Sequence, residues 1–416
     1  MTPDAGAAAG PLEAWLAGLR SAGEIGRLLA APADEQAARG YRHTLREIAQ
    51  QPETWLETSA RMIEHRDELG RAASAAGLRD GTGAVVLTGS GSSLYVATSL
   101  AGPLQEDLGA PVSAVAAGSI LTHPRACLPP GGRFLAVSFA RSGDSPESGA
   151  AIDLVLARAA AAQHLIFTCN RRGRLVTAYA GEPRVGAVVL DDRTNDRSLV
   201  MTSSFTNLAL AGRALAGLAA GEYLERARRV ADAARRVLTG PADALAAAAR
   251  GARRLAFLGS GARFGSAREA ALKLLEMNAA RVPVLVESYL GLRHGPMSAL
   301  RPDTLLVALL SSDPLVRAYE LDLLGELNRK RLGGQRIVVG VQVPAAAVAG
   351  PHDVVVECGE AGALADSELI LIDALVGQLL GLFRCLAEGL KPDAPSDGII
   401  NRVVEPFPIH GVPAKS

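Results

Sequence analysis

The sequence predicts an α/β protein made of two tandem domains, each a parallel sheet with helices on both faces. Two observations carry this. Short, continuously apolar runs alternate with helical segments, which is how strands read when both faces of a parallel sheet are covered. The series also occurs twice at nearly one spacing. GSG at 89–91 returns at 259–261, LAVSFARS (135–142) returns as LVALLSS (306–312), and LIFTCN (165–170) as RIVVGV (336–341), offsets of 170 to 171 residues. The length of 416 residues agrees, being too great for one ordinary core. The expected divisions are a helical segment at 1–50, a first domain at 51–220, a second at 221–390 and a tail at 391–416.

The elements follow in order. Residues 1–80 carry helical patterns and no strand pattern. VVLTG (85–89) is the first strand, and helical pattern resumes at Ser92. PVSAVAAGSI (111–120) holds the next strand, followed by FLAVSF (134–139), HLIFTC (164–169) and AVVLD (187–191). The second series runs RLAFLG (254–259), PVLVES (283–288), TLLVALL (304–310), RIVVGV (336–341) and DVVVEC (353–358).

Composition excludes several classes of function. Basic and acidic residues balance at 43 each, so no charge excess draws the chain to nucleic acid or an anionic membrane. The most apolar helical stretch, LALAGRALAGLAAG, is short and broken by Arg213, so no membrane span is expected. The opening MTPDAGAAAGPLEAWLAGLR lacks the pattern of a secretory signal. Cys127, Cys169, Cys358 and Cys385 form no CxxC pair, which argues against a zinc site or a disulfide framework and for buried thiols in a cytoplasmic protein.

The loop TGSGSSLYVA (88–97) joins a strand to a helix. A dinucleotide fingerprint fails here, because the third glycine falls at Leu94 and the next strand ends without an acid. A small phosphate fits better. Amides at a helix N-terminus favour an anion, and Ser90, Ser92 and Ser93 add hydroxyls. SFARSGDSPES (138–148) repeats the device with Ser142, Ser145 and Ser148, Gly143 permitting the turn. TSSFT (202–206) adds Thr202 at a third helix start. Serines at one helix start read as N-caps. Two such loops, both at the carboxyl ends of strands in a doubly wound sheet, point to phosphate. The corresponding second-half loop, LSSDPLVRAYE, keeps few hydroxyls and no glycine.

That half instead carries REAALKLLEMNA (268–279). At about 100° per residue, Glu269, Lys273 and Glu276 share a wedge of roughly 60° on an otherwise apolar cylinder. Such a helix is mostly buried, and its polar wedge must face a cleft or a partner. Lys273 is one of only four lysines in an arginine-rich chain. An i,i+4 pair explains Glu269 and Lys273 but not Glu276. Downstream, His294 sits in the loop of ESYLGLRHGP (287–296), a placement suited to acid–base work.

These motifs resemble the sugar-isomerase (SIS) double-domain family, flavodoxin-like in each half and related to the isomerase half of glucosamine-6-phosphate synthase. The resemblance is closest to the AgaS-type galactosamine-6-phosphate deaminase/isomerases, carried by SFARSGDSPES, NDRSLVMTSSFTN (195–207), ESYLGLRHGP and INRVV (400–404), and it covers roughly residues 40–404. It implies a phosphate held by Ser93, Ser142 and Ser145 with Arg141 beside them, a proton carried between C1 and C2 by Glu276, and Lys273 next to it. It implies that His294 enters the active site from the neighbouring subunit of a homodimer or homotetramer, and that the tail closes the site, with Arg402 as the nearest match to a tail lysine. No metal or redox cofactor is called for.

The implied reaction is aldose–ketose isomerisation with deamination of a hexosamine 6-phosphate, galactosamine 6-phosphate giving tagatose 6-phosphate and ammonia. The final imine hydrolysis makes the enzyme a hydrolase as well as an isomerase. A plain ketose/aldose isomerase and a non-catalytic sugar-phosphate sensor are the alternatives. This chain departs from the branch at Asp144 (usually asparagine), Met297 (usually lysine), Leu292 (usually phenylalanine) and in the tail, which puts substrate recognition in doubt more than reaction type.

Overall fold

The computed structural model describes residues 10–216, 220–360, 362–402 and 407–411. Helices between Pro11 and Ala75 precede the first sheet, among them α1 (Arg42–Ala49). That sheet consists of β1 (Val85–Gly89), β2 (Val112–Ala116), β3 (Leu135–Ala140), β4 (Gln163–Thr168) and β5 (Val185–Val189). The second consists of β6 (Arg254–Gly259), β7 (Val284–Ser288), β8 (Thr304–Leu309), β9 (Arg336–Gly340) and β10 (Val354–Glu357). The orders are β2-β1-β3-β4-β5 and β7-β6-β8-β9-β10, all parallel, so the two halves have one topology. Every residue of β1, β3, β8 and β9 is buried, which is why these strands read as unbroken apolar runs rather than alternating ones.

Five helices position the candidate site after α1: α2 (Ser92–Leu108), α3 (Pro146–Arg158), α4 (Ser203–Arg213), α5 (Ala262–Met277) and, after α6 (Pro314–Lys330), α7 (Asp366–Ala387). The duplicated glycines Gly91 and Gly261 sit at φ +56° and +52° between strand and helix, a left-handed conformation that only glycine adopts cheaply. The order of each sheet reverses between its first and third strands, so loops diverge there and leave a crevice at the strands' carboxyl ends.

The two halves meet through their equivalent helices α2 and α5. A Cβ on Gly265 would lie 2.4 Å from Ser99 Oγ, so the absence of a side chain lets the helices close. On its other side α5 packs against α7, where a Cβ on Gly377 would lie 2.4 Å from Ala270 Cβ. Enclosed this way, α5 buries Ala267, Ala270, Leu274 and Met277 together with Glu269 and Lys273, as its narrow polar wedge predicts. The most apolar long helix is α7 rather than the stretch near Arg213. It is long and apolar enough to cross a membrane, but 89% of that window is buried in the protein, and it serves as the core helix of the second half.

Candidate active site

A cavity of about 380 Å³ opens at the carboxyl ends of β1 and β3. The first glycine loop contributes Ser90, Ser92 and Ser93; the loop after β3 contributes Arg141, Ser142, Ser145 and Ser148. Glu276 reaches it from the end of α5, and the tail closes one side with Ile400, Asn401 and Arg402. The two serine loops, the proton-carrier candidate and the tail arginine therefore share one space, although they lie up to some three hundred residues apart in sequence. The N-terminus of α2 and that of α3 both face this space through Ser92 and Ser145, and neither helix has a side-chain N-cap. The first-turn amides are thus placed for an anion.

Two guanidinium groups line the cavity. Arg141 donates from Nη1 to Leu199 O at 2.7 Å and Ser198 O at 3.3 Å, and Arg402 donates from Nη2 to the carbonyls of Asp196, Arg197 and Ser198. Burial, and after it the charge of Arg402, hold the Arg141 guanidinium below its usual value. Among the described residues neither arginine forms an ion pair with a carboxylate. Two cations side by side in one cavity suit a dianionic ligand.

Behind Glu276 lies a buried charge cluster. Lys273 is fully buried and touches Glu276 Oε2 at 2.5 Å, Glu269 Oε1 at 3.3 Å and, as donor, Ser92 Oγ at 3.0 Å. Burial pushes the lysine down, but the two carboxylates outweigh it and the ammonium sits above its usual value. Glu269, also fully buried, is pushed up to about 7 by desolvation; Lys273 opposes the shift and Glu276 adds to it. Only Glu276 of the three opens to the cavity, its side chain 25% exposed. Lys273 does not line the cavity; its ammonium contacts Glu276 and Ser92 from behind.

Thr202 does not join the others. It is fully buried, and its hydroxyl and amide both donate to Asp196, at 3.0 and 2.7 Å. Asp196 also accepts from the amides and hydroxyls of Ser203 and Ser204, so one carboxylate caps the whole start of α4. The position an anion would take at this helix is already filled by a side chain of the chain itself.

The second half closes its equivalent crevice in a similar way. Arg263, 170 residues after Ser93, is fully buried and pairs with Asp373 while donating to the carbonyls of Leu310 and Val339. Glu320 of α6 accepts from the Ser311 amide at 2.7 Å. A carboxylate therefore occupies the loop equivalent to the serine loop that lines the cavity in the first half.

No family model matches the chain. It is 37% identical over 385 residues to a Streptomyces coelicolor AgaS protein, covering 92% of this chain and 97% of that one. It is 33% identical to the D-galactosamine-6-phosphate deaminase AgaS of Escherichia coli O157:H7, covering 88% of this chain and 95% of that one. The chain belongs to the AgaS family. The solved structure of a tagatose-6-phosphate ketose/aldose isomerase from Escherichia coli has a TM-score of 0.79 and 32% identity, covering 88% of this chain and 96% of that one. The isomerase-type fold extends to the C-terminal domain of glucosamine-fructose-6-phosphate aminotransferase from Francisella tularensis, at TM-score 0.70 and 20% identity. These names are deaminase, isomerase and aminotransferase, and they lend no support to a hydrolase label.

Within this AgaS-family chain the remaining expected positions separate. His294 is exposed, in the turn after Tyr289–Leu292, and does not line the cavity of its own chain. Its neighbour Arg293 pairs with Glu326 at 2.7 Å. Asp144 turns away from the serine loop and accepts from the Arg174 amide at 3.0 Å, so its charge is not aimed into the cavity. Met297 is buried, with Lys330 Nζ 3.6 Å from its sulfur. Sequence reading missed Glu147, which lines the cavity from inside the quoted motif SFARSGDSPES, and Asn401, which lies in INRVV. Both lie inside those motifs, but neither carries the hydroxyl or cationic group that marks a phosphate contact in sequence.

Proposed function

We propose that the protein deaminates and isomerises galactosamine 6-phosphate to tagatose 6-phosphate and ammonia. The observation that carries this is the Glu276 carboxylate opening into the same cavity as Arg141, Arg402 and two serine-rich helix starts. The phosphate lies against Ser93, Ser142 and Ser145 with Arg141 and Arg402 beside it, and the sugar chain extends toward Glu276. In the open-chain aldose the C2 proton is acidified by the C1 aldehyde. Glu276 takes it, electron density moves through an enolamine, and the same carboxylate returns the proton to C1. The product is a C2 imine, which water hydrolyses to the ketone and ammonia. Lys273, paired with Glu276 at 2.5 Å, keeps the carboxylate in place.

His294 is exposed and away from its own chain's cavity, which supports a role in the neighbouring subunit's site, where it assists ring opening. The active form is then a homodimer or homotetramer. The four separated free cysteines fit a cytoplasmic enzyme.

Simple ketose/aldose isomerisation is the second reading, favoured by the name of the Escherichia coli structural relative. The test is to incubate the protein with galactosamine 6-phosphate, glucosamine 6-phosphate and tagatose 6-phosphate and to measure ammonia and ketose. Ammonia release with ketose formation from an amino sugar is expected. Aldose–ketose exchange without any ammonia selects the second reading, and binding without turnover of any substrate makes the protein a sensor.

A further inference from the structure

The loop 196–199 presents two faces. Its carbonyls hold the cavity arginines, and its amides are held from behind by residues outside the first domain's sheet. Glu47 of α1 accepts from Arg197 N at 2.5 Å, from Ser198 N at 3.3 Å and from Ser198 Oγ. The peptide unit whose N–H belongs to Arg197 has its carbonyl on Asp196, and that carbonyl accepts from Arg402. The next unit has the Ser198 N–H on Glu47 and the Arg197 carbonyl on Arg402 at 3.1 Å. The third has the Leu199 N–H on Asp393 O at 3.0 Å and the Ser198 carbonyl on Arg141 and Arg402. Three consecutive peptide units are therefore each pinned between an acceptor behind and a guanidinium in front, and hydrogen bonds in such chains polarise one another.

We infer that Glu47, through these peptide units, is the positioning residue that aims Arg402 and Arg141 into the cavity. The inference rests on reading that cavity as the phosphate site. Each guanidinium gives one nitrogen to the loop carbonyls and keeps further N–H donors for a ligand. Glu47 is itself fixed from the tail: the Asp393 carboxylate accepts from Thr44 N at 2.7 Å, Thr44 Oγ1 at 2.8 Å and His43 N at 3.2 Å, capping α1. The N-terminal segment, the tail and the arginine loop thus lock as one unit around the anion site. Burial, and next to it Asp196, push the Glu47 carboxyl up to about 8, so an uncharged side chain of the same shape fits its place.

The experiment compares wild type, Glu47→Ala and Glu47→Gln in three measurements: steady-state kinetics with galactosamine 6-phosphate, calorimetric titration with inorganic phosphate, and phenylglyoxal modification of Arg141 and Arg402 followed by peptide mass spectrometry. In Glu47→Ala, KM and the phosphate Kd rise about tenfold or more, the size expected for losing an ordered charged donor, while kcat stays within about threefold. Both arginines react faster with phenylglyoxal than in wild type. Glu47→Gln, which keeps an acceptor for the two amides, stays close to wild type in all three. If Glu47→Ala does not fold, Glu47→Asp, one methylene too short to reach both amides, carries the same expectation. Unchanged arginine reactivity, or a fall in kcat with KM unmoved, overturns the inference. A wild type that neither binds phosphate nor turns over the sugar overturns the functional reading alone, because arginine reactivity still decides whether Glu47 positions the pair.

Discussion

Replacing Lys273 by methionine separates what the buried cluster does for folding from what it does for chemistry. Lys273 and Glu269 are both fully buried, and the ammonium lies 3.3 Å from Glu269 Oε1. Removing one member of a buried ion pair strands the other and typically costs about 3–5 kcal/mol. That is a large share of the roughly 5–15 kcal/mol by which folded proteins exceed their unfolded state. The cost depends on pH in a stated direction. The Glu269 carboxyl is already raised from 4.5 to about 7 in the folded protein, chiefly by burial, and it climbs further once Lys273 stops opposing that shift. An acid raised on folding contributes stability that is fully present below its unfolded value and lost as pH rises through the folded one. The penalty of Lys273→Met is therefore small at pH 5 and large at pH 8. In Lys273→Met/Glu269→Leu no charge is stranded at full burial, and most of the stability returns at pH 8. Activity stays low in both variants, because Glu276 has lost its counter-ion. Urea denaturation followed by circular dichroism at pH 5 and 8, beside the ammonia assay, checks this. A single variant as stable as wild type at pH 8, or a double variant no more stable than the single, refutes the reasoning.

Two further substitutions test the assignment of the loops. Arg141→Met should weaken inorganic phosphate binding by roughly 10- to 100-fold, the range for losing a charge-assisted hydrogen bond, beside a stability cost of about 1–3 kcal/mol from the lost hydrogen bonds to the Ser198 and Leu199 carbonyls; titration calorimetry reads the first and thermal denaturation the second. Thr202→Val should act on stability instead, costing about 1–3 kcal/mol through the lost hydrogen bond to the Asp196 carboxylate and leaving KM unchanged. A tenfold rise in KM for Thr202→Val with stability intact would put Thr202 back on the ligand.

Much of the fold was legible in the primary structure because a doubly covered parallel sheet leaves a direct trace. β1, β3, β8 and β9 are buried along their whole length, so they read as apolar runs, and the duplication repeats them at almost constant offset. The α5 wedge was legible for a related reason: Glu269, Lys273 and Glu276 are the few polar positions on a helix closed in by α2 and α7. Thr202 was not legible, since a hydroxyl at a helix start has the same local sequence whether it faces a ligand or a capping carboxylate. Only the fold brings Asp196 onto that helix end. The core helix α7 was hidden by Asp373, an acid that argues against a deep core until Arg263, 110 residues away, is seen beside it. Glu47 left no trace either, because it lies in an ordinary amphipathic turn, LREIA, and its partners are 150 residues downstream.

Glu276 as the group that moves the proton is the central claim. The direct measurement is turnover of galactosamine 6-phosphate deuterated at C2, with the tagatose 6-phosphate product examined by NMR for deuterium at C1. Wild type should release ammonia and carry part of the deuterium from C2 to C1, the mark of one carboxylate shuttling it. Glu276→Gln should bind inorganic phosphate with wild-type affinity and lose at least about 10²-fold in kcat, the contribution expected of a positioned acid–base group. Turnover by Glu276→Gln at the wild-type rate, with deuterium still reaching C1, would contradict it.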